Sequence, residues 1–481
     1  MLFNSIDFAI FLPIVFLLYW FTTYWNFKLQ NILLLIASYF FYGCWDWRFL
    51  FLLIFSTILD YTSGLMMADA PNKKIKRLWF WLSVCVNLGF LGVFKYYNFF
   101  VTSFAEGLSH LGVHAHYSTL QVILPVGISF YTFHGLSYVI DIYNDRIKPE
   151  RNFINYSVFV SFFPLLVAGP IERATHLLPQ ILKKREFDYS KAVDGCRQIL
   201  WGLFKKIVIA DNCARYVNQV FDNYQLQTSS TLVLAAILFA FQIYGDFSGY
   251  SDIAIGTARL FGIELLRNFA NPYFSRDIAE FWRRWHISLT TWFRDYLYIP
   301  LGGSRGGKWK TVRNTFIIFL VSGFWHGANW TFLAWGTLHA LLFLPILLLQ
   351  RNRINTDIVA EGRKLPTVKE FGFMLLTFIL VDLCWIFFRS NTISQSIDYI
   401  GRIFSMTSFT GPWLINRYFY IPLLINIIIF IFIEWVQREK KHGLEIRLIS
   451  SKFTRRTIYV FLIFSIIWFM GENETFIYFQ F

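Results

Sequence analysis

The sequence predicts an all-α polytopic membrane protein. Of its 481 residues, 56% are hydrophobic, 21% are aromatic and only 15% are charged. Soluble domains average about 45–50% apolar and about 25% charged residues. The apolar residues form repeated runs that approach the ~20 residues needed to cross a bilayer as a helix. We therefore expect residues 1–481 to form one integral membrane domain, a bundle of about eleven transmembrane helices with additional re-entrant and interfacial helices.

The first four apolar runs predict four helices: Ile6–Trp25, Ile32–Trp45, Phe49–Met67 and Leu78–Phe100. Lys28 follows the first run, and a basic cluster beginning at Lys73 follows the third. Cytoplasmic loops of membrane proteins are enriched in Lys and Arg, so this pattern predicts an N-terminus outside the cell. Because the first positive charge comes after the apolar run, we expect a retained membrane helix rather than a cleaved signal.

The stretch 105–119 contains no Lys or Arg and is predicted to be an external loop. It contains three histidines, His110, His114 and His116, but Glu106 is its only carboxylate and it has no cysteine. A zinc site needs a fuller set of ligands, so we expect an exposed loop rather than a metal site.

The middle of the chain mixes spanning and shorter segments. Leu120–Tyr143 predicts a return to the inside, whereas the short run Val158–Ala168 has basic residues on both flanks and predicts a re-entrant or interfacial segment. Ala192–Ala210 is a weaker spanning candidate because it contains Lys205 and Lys206.

Thr231–Ile263 is long enough to cross the membrane and contains two acidic residues, Asp246 and Asp252. Acids in a spanning helix are costly unless they face a bundle interior or a wet cavity. Alternatively, they could cap a helix that restarts after a glycine break at Gly245 or Gly249. The sequence leaves both readings open.

The stretch Phe281–Pro300 combines arginines with many aromatic residues and predicts a helix at the cytoplasmic interface. The next apolar run, Asn314–Phe324, is followed by Trp325-His326-Gly327 and then by a second arm, Trp330–Leu349. Because the first run is too short to cross a bilayer, we expect His326 to lie inside the membrane or at its edge.

Three further helices are predicted: Glu370–Phe388, Tyr420–Trp435 and Thr457–Met470. The stretch after Phe388 should be external, yet it carries basic residues at Arg389, Arg402 and Arg417, which departs from the charge rule.

Several function classes are disfavoured. The net charge is +14, but the basic residues lie in clusters between apolar runs rather than in one stripe, so no nucleic-acid partner is expected. The 5 cysteines are scattered without CxxC spacing, which gives no support to a metal site. The chain also lacks a serine nucleophile elbow and a dinucleotide-binding fingerprint.

Two histidines in polar breaks, His286 and His326, are the candidate catalytic residues. Imidazole can take a proton from a hydroxyl group and return it to a leaving group. The alternative is that each is a helix-end or core histidine bonded to backbone carbonyls. His134, His176 and His339 fit packing roles, although His339 lies on the second arm and could face the same cavity. Weaker candidates for substrate binding are Trp285, Trp325, Arg283, Arg284, Asp246 and Asp295. Both tryptophans would otherwise be interface anchors.

The segment Phe281–Gly303, FWRRWHISLTTWFRDYLYIPLGG, together with Phe324-Trp325-His326-Gly327, resembles the membrane-bound O-acyltransferase family. The similarity is greatest to its bacterial alginate O-acetyltransferase branch. Shorter stretches also resemble that branch, namely Met1–Ser5, Ala168–Arg173 and Phe476–Phe479.

This resemblance implies acyl transfer from cytoplasmic acetyl-CoA, as donor substrate rather than bound cofactor, to a hydroxyl group reached from the other face. His326 corresponds to the principal catalytic residue and His286 to the second. A cytoplasmic basic group could attract the phosphates of coenzyme A: Arg283, Arg284, Arg305, Lys308 and Lys310.

The resemblance also implies O-acetylation of an extracellular or cell-wall polysaccharide at a bacterial inner membrane, with a periplasmic or membrane-anchored acetyltransferase partner. Transfer of D-alanyl or longer acyl groups to teichoic acid or another envelope acceptor is the alternative enzyme. A transporter is a further alternative, although no inverted repeat is evident.

Overall fold

The computed structural model describes residues 1–113, 117–120, 123–167, 169–405, 417–446, 451–471, 474 and 476–477, and it contains helices but no strand over these residues. This confirms the all-α prediction. The helices are α1 Ile6–Trp25, α2 Phe27–Ala68, α3 Lys73–Leu91, α4 Tyr97–His110, α5 Ile128–Tyr143, α6 Phe153–Ser161, α7 Phe163–Leu166, α8 Ala174–Ile181, α9 Tyr189–Leu203, α10 Asp211–Asp222, α11 Ser229–Leu260, α12 Ile278–Arg284, α13 Ile287–Phe293, α14 Lys308–His326, α15 Trp330–Leu348, α16 Val368–Arg389, α17 Ile393–Phe404, α18 Arg417–Val436 and α19 Lys452–Phe469.

Within the described residues, 5 helical stretches are long and apolar enough to cross a membrane. They are Lys28–Ala68, Lys73–His110, Ser229–Leu260, Trp330–Leu348 and Val368–Arg389. Two shorter apolar stretches are Ile6–Thr22 and Tyr420–Val436. The predicted count of about eleven spanning helices is therefore not confirmed.

The chain folds into two compact units, of which the first comprises residues 1–192 and 257–266. Its central element is α2, a 42-residue helix with a kink at Asp46 (φ −156°, ψ 111°). The Asp46 carboxylate accepts a hydrogen bond from the Arg48 amide at 3.0 Å, which caps the second half. The two predicted helices, Ile32–Trp45 and Phe49–Met67, are thus the two halves of α2.

Other predicted boundaries in this unit differ from the structure. The helix predicted over Leu78–Phe100 runs from Lys73 to His110, continuing from α3 to α4 through a π-helical turn. His110 therefore ends a helix instead of lying in a loop, whereas His114 and His116 lie outside the described residues.

Of the span predicted over Leu120–Tyr143, residues 121 and 122 lie outside the described residues, and the helix begins at Ile128, where Gly127 adopts a left-handed conformation (φ 75°) before it. The run Val158–Ala168 ends the nine-residue α6 and then forms the four-residue α7, and its last residue, Ala168, lies outside the described residues. Neither helix is long enough to cross a bilayer, as predicted for this run.

The second unit comprises residues 193–256 and 267–481. In it, α9 continues into α10 through a π-helical turn, Phe204–Ala210, that contains Lys205 and Lys206. α11 runs unbroken past Gly245 and Gly249, so the alternative that Asp246 caps a restarted helix is wrong. The glycines instead permit close packing: a Cβ atom at Gly249 would lie 2.8 Å from the carbonyl oxygen of Gly202.

The two arms through His326 form an antiparallel hairpin of α14 and α15. The first arm is longer than predicted, because α14 begins at Lys308 and has 19 residues, a length of about 28 Å. Only the apolar part of α14, Asn314–Phe324, is too short to cross a bilayer. The helices cross where Gly323 and Gly336 face each other, since a Cβ atom at either would collide with the opposite backbone.

The stretch Phe281–Pro300 is divided into α12, α13 and a π-helical turn, Arg294–Tyr298. Its aromatic residues are mostly buried, including Trp282, Trp285, Trp292 and Phe293. These side chains belong to the interior of the second unit, so the interpretation of them as anchors in the lipid interface is wrong. The prediction of one domain over residues 1–481 stays a prediction.

Candidate active site

His286 lies at the break between two seven-residue helices, α12 and α13. Its backbone is left-handed (φ 42°, ψ 55°), a conformation that costs roughly 1–2 kcal/mol for a residue with a Cβ atom. Such strain persists where the surrounding structure fixes the chain. The side chain is 1% exposed, and neither Nδ1 nor Nε2 has a hydrogen-bond partner among the described residues.

The surroundings of the His286 ring are aromatic. Phe247 contacts it edge-on, with centroids 4.5 Å apart, and Phe269 stacks at 6.4 Å. His286 lies outside the candidate membrane-spanning helices, and its burial lowers the pKa of the imidazole to about 3, because the charged form loses its hydration. At neutral pH the ring is therefore uncharged, which is the form that a base or a neutral hydrogen-bond donor requires.

His326 is the last residue of α14 and is 3% exposed. Its ring packs against Trp335 and Phe388, with centroid distances of 5.1 and 5.4 Å. The chain leaves the helix through Gly327, where a Cβ atom would collide with the Phe332 ring. A glycine is therefore required directly after this histidine.

Trp325 brings the two histidines together. Its ring centroid lies 6.1 Å from that of His286 and 4.9 Å from that of His326. Trp285 belongs to the same aromatic group, because its ring lies 5.0 Å from Trp385, which stacks on Trp335 at 5.7 Å. Trp285 and Trp325 are 1% and 6% exposed, so they are core residues rather than interface anchors.

The two predicted arginines contact a loop. The Arg283 guanidinium donates to the carbonyl oxygens of Asn352 and Asn355 at 2.7 and 2.5 Å. Arg284 forms an ion pair with buried Glu280 at 2.8 Å and donates to the carbonyl oxygen of Asp357. Both side chains thus tie the loop after α15 to α12.

The two predicted aspartates are paired with cations. Asp295 accepts from the neighbouring Arg294 at 2.7 Å. Asp246 forms an ion pair with Lys206 at 2.7 Å and accepts from the Ile477 amide at 2.7 Å. These contacts occupy carboxylate oxygens that a substrate would otherwise use.

The other histidines have packing partners. His339 Nδ1 accepts from the Trp282 indole at 3.3 Å. His134 accepts from the Glu172 amide at 3.1 Å, and His176 pairs with the Glu172 carboxylate at 2.7 Å. Over the described residues, no group of three or more His, Cys, Asp or Glu side chains could hold a metal ion.

A cavity of about 320 Å³ lies in the second unit next to chain neighbours of the two histidines, although neither histidine is among its lining residues. Its wall includes Ile287, the residue after His286, and Ser322, one helical turn before His326. Aromatic and aliphatic side chains form much of the rest, while Arg294, Arg353 and the predicted Arg283 add positive charge. This shape and lining suit an extended chain with an anionic end.

Sequence reasoning missed Trp335 and Phe388, which contact the His326 ring, and Trp385, which packs against both of them. Each lies in an apolar run where most side chains are large, so no local signal separates a residue facing the site from one facing lipid. The Trp-His pairing was the only signal available for this group.

Most of the chain is similar to known acyltransferases. Residues 144–380, which include both histidines, match the model of the membrane-bound O-acyltransferase family. The chain is 40% identical to a Pseudomonas syringae pv. tomato protein named "Probable alginate O-acetylase AlgI", over 87% of this chain and 77% of that protein. It is 35% identical to the peptidoglycan O-acetyltransferase of Helicobacter pylori, over 83% of this chain and 79% of that protein. It is 30% identical to the teichoic acid D-alanyltransferase of Streptococcus thermophilus, over 56% of this chain and 69% of that protein.

Proposed function

This chain belongs to the membrane-bound O-acyltransferase family, and on that premise we propose that it moves an acetyl group from cytoplasmic acetyl-CoA across the membrane for O-acetylation of an envelope polysaccharide. The observation that carries the proposal is the pair of buried imidazoles, His286 and His326, both near the Trp325 ring. Two histidines in one apolar site can take up and release the protons that acyl transfer requires.

In this proposal His326 is the general base. It takes the proton of the acceptor hydroxyl while the hydroxyl oxygen bonds to the thioester carbonyl carbon. The carbon–sulfur bond then breaks, and the proton passes from His326 to the departing thiolate. Acid–base assistance of this kind contributes about 10²–10⁴-fold to a rate.

His286 is proposed to position the thioester or to stabilise the negative charge that develops on its carbonyl oxygen. Its ring nitrogens make no hydrogen bond among the described residues, so a ring N–H is available to the substrate. Donors directed at a developing oxyanion are often the largest single contribution to catalysis.

The cavity beside Ile287 and Ser322 is the proposed donor site. Its volume of about 320 Å³ suits the thin pantetheine arm of coenzyme A. Arg294, whose side chain is 59% exposed, and Arg353 line the same cavity and would attract the phosphates of the donor.

We further propose that the protein lies in a bacterial inner membrane with its N-terminus outside, and that a periplasmic or membrane-anchored acetyltransferase partner completes the transfer. Clusters of Lys and Arg between apolar runs support this orientation. D-alanyl transfer is the second candidate, supported by the 30% identity to the teichoic acid enzyme. Higher identity to the proteins named for O-acetylation favours the acetyl donor.

The test is thiol release from acetyl-CoA by the purified protein in liposomes, with alginate oligosaccharides or peptidoglycan fragments as acceptor. We expect His326→Ala and His286→Ala to lower the rate by about a hundredfold or more. His176→Ala is the control, because His176 pairs with Glu172 in the first unit, and it should retain the wild-type rate.

Wild-type turnover by His326→Ala would reject the catalytic assignment. A wild-type protein that ignores acetyl-CoA but uses a D-alanyl thioester would support the second candidate. Solute uptake into vesicles without acyl transfer would support a transporter.

A further inference from the structure

Helix α13 begins without a cap from its own first residue. His286 occupies the capping position, but its side chain makes no capping hydrogen bond. The first amides of a helix lack partners within the helix and must be satisfied from elsewhere when they are buried. In α13, Asn268 supplies these partners from a distant part of the chain.

Asn268 contacts the start of α13 through both its backbone and its side chain. The Ile287 amide donates to the Asn268 carbonyl oxygen at 2.8 Å. The Ser288 hydroxyl and amide both donate to Asn268 Oδ1, at 2.6 and 3.3 Å. Asn268 therefore performs the capping that the residue at His286 would normally provide.

Asn268 is itself held in place. Its side chain is fully buried, and its amide donates to Ser251 Oγ at 3.1 Å. Ser251 lies in α11, a 32-residue helix that also supplies Phe247 against the His286 ring. The residue that anchors the cap, Ser251, and one wall of the histidine site, Phe247, thus come from the same helix.

From these contacts we infer that Asn268 is a positioning residue for the acyl transfer. It holds the left-handed backbone at His286 and satisfies the adjacent amides, so that both imidazole nitrogens remain available for the reaction. Without Asn268 Oδ1, the Ser288 amide loses its partner, and the imidazole at the capping position would commit one ring nitrogen if it replaced that partner. The inference rests on the proposed function only in assigning a reaction to His286.

Two substitutions of Asn268 by residues of similar size distinguish the loss of its capping hydrogen bonds from a loss of packing. Asn268→Asp keeps an acceptor for Ser288, and Asn and Asp are about equal as caps. Asn268→Leu fills the space but has no acceptor. We expect kcat for acetyl-CoA turnover to stay within about threefold of wild type in Asn268→Asp. In Asn268→Leu we expect kcat to fall about a hundredfold with an almost unchanged KM, because a displaced catalytic group costs rate rather than binding.

Asn212→Leu is the matched control. Asn212 is also fully buried, and its amide donates to the carbonyl oxygens of Ile207 and Val208, away from α13. Both Leu variants should lower the thermal unfolding midpoint, but only Asn268→Leu should lower kcat of the folded protein.

Hydrogen exchange supplies a readout that does not depend on activity. Peptides covering residues 285–293 should exchange faster in Asn268→Leu than in wild type and should stay protected in Asn268→Asp. Equal exchange in all three proteins, or wild-type kcat in Asn268→Leu, would overturn the inference. If the wild-type protein did not use acetyl-CoA while the exchange pattern was as expected, the proposed function would fail and the anchoring by Asn268 would stand.

Discussion

The Trp325 indole is the ring that both catalytic candidates share as a neighbour. It contacts His286 and His326, so we expect a substrate that reaches both histidines to pass close to its ring. Aromatic rings provide large, rigid contact surfaces and exclude water, which strengthens every polar interaction inside the site. We therefore expect Trp325 to contribute both to the stability of the core and to the exclusion of water from the reacting groups.

Substitution of Trp325 tests both contributions. We expect Trp325→Ala to lower the free energy of unfolding by about 3–5 kcal/mol, the usual range for a buried aromatic, and to lower kcat as well. Trp309→Ala on the same helix is the control, because Trp309 is 85% exposed and its loss should change stability by less than about 0.5 kcal/mol. Thermal unfolding in detergent and acetyl-CoA turnover measure the two effects. A Trp325→Ala protein as stable and active as wild type would contradict this role.

The individual residues show what sequence could and could not predict. His286 and His326 were identified because a titratable side chain in a polar break between apolar runs is unusual. The positions of Trp285 and Trp325 were misjudged, because composition does not distinguish a buried tryptophan from one at the lipid interface. Asn268 was missed because it contacts Ser288 across twenty residues of chain, which no local pattern reveals.

The hairpin of α14 and α15 is the element that presents His326. Its helices approach closely because Gly323 and Gly336 have no side chains at the crossing, where each faces the other helix's backbone. Small residues at such crossings are typical of membrane helix pairs. The close approach of the two helices therefore depends on the absence of a side chain at both positions.

Adding one methyl group tests the crossing. Gly336→Ala would place its Cβ atom against the carbonyl oxygen of Phe319, so the arms must separate and His326 must move. We expect a lower unfolding midpoint and a kcat reduced by about tenfold to a hundredfold. Gly372→Ala in α16 is the control: nothing lies within 4 Å of its Cβ position, and a helical Gly→Ala change should stabilise by up to about 1 kcal/mol. Equal behaviour of the two variants would exclude a special role for the crossing.

At the same level, helix existence was easier to predict than helix continuity. The bounds Ile6–Trp25 agree fully with α1, because the apolar run is bounded by Ser5 and Asn26. The sequence leaves open whether α11 continues past Gly245 and Gly249. A glycine that permits close helix packing cannot be distinguished in sequence from a glycine that ends a helix. The length of α14 was underestimated because its first turns carry Lys308, Lys310 and Arg313.

For the whole molecule, the distribution of charge predicts which loops face the cytoplasm. The stretch after Phe388, which is predicted to be external, departs from this rule because it contains Arg389, Arg402 and Arg417. The Arg417 side chain lies outside the described part of the structure. The structure supplies partners for the other two: Arg389 donates to Asn218 at 2.9 Å, and Arg402 pairs with Asp398 at 3.0 Å. Arginines with such partners are less available to lipid headgroups, so they need not set the orientation of the chain.

Cysteine labelling tests the proposed orientation. In a protein whose native cysteines are replaced by serine, we expect Lys74→Cys to react with a membrane-impermeant maleimide only after the cells are opened. Asn391→Cys should react in intact spheroplasts, because the stretch after α16 is proposed to be external. Both positions are exposed in the structure. Labelling of both from one side would contradict the proposed topology.

The lysine pair in the π-helical turn after α9 has a consequence for how the protein is made. Lys205 and Lys206 lie 2.5 and 2.7 Å from the carboxylates of Asp252 and Asp246, which belong to α11 and are synthesised later. Lys206 has a second partner in the adjacent α10, Asp211 at 2.8 Å, whereas the carboxylate that pairs with Lys205 belongs to α11. An unpaired lysine disfavours insertion of a helix into lipid by about 3 kcal/mol. Lys205 gains Asp252 only when α11 emerges from the ribosome, so we expect the two segments to enter the bilayer together.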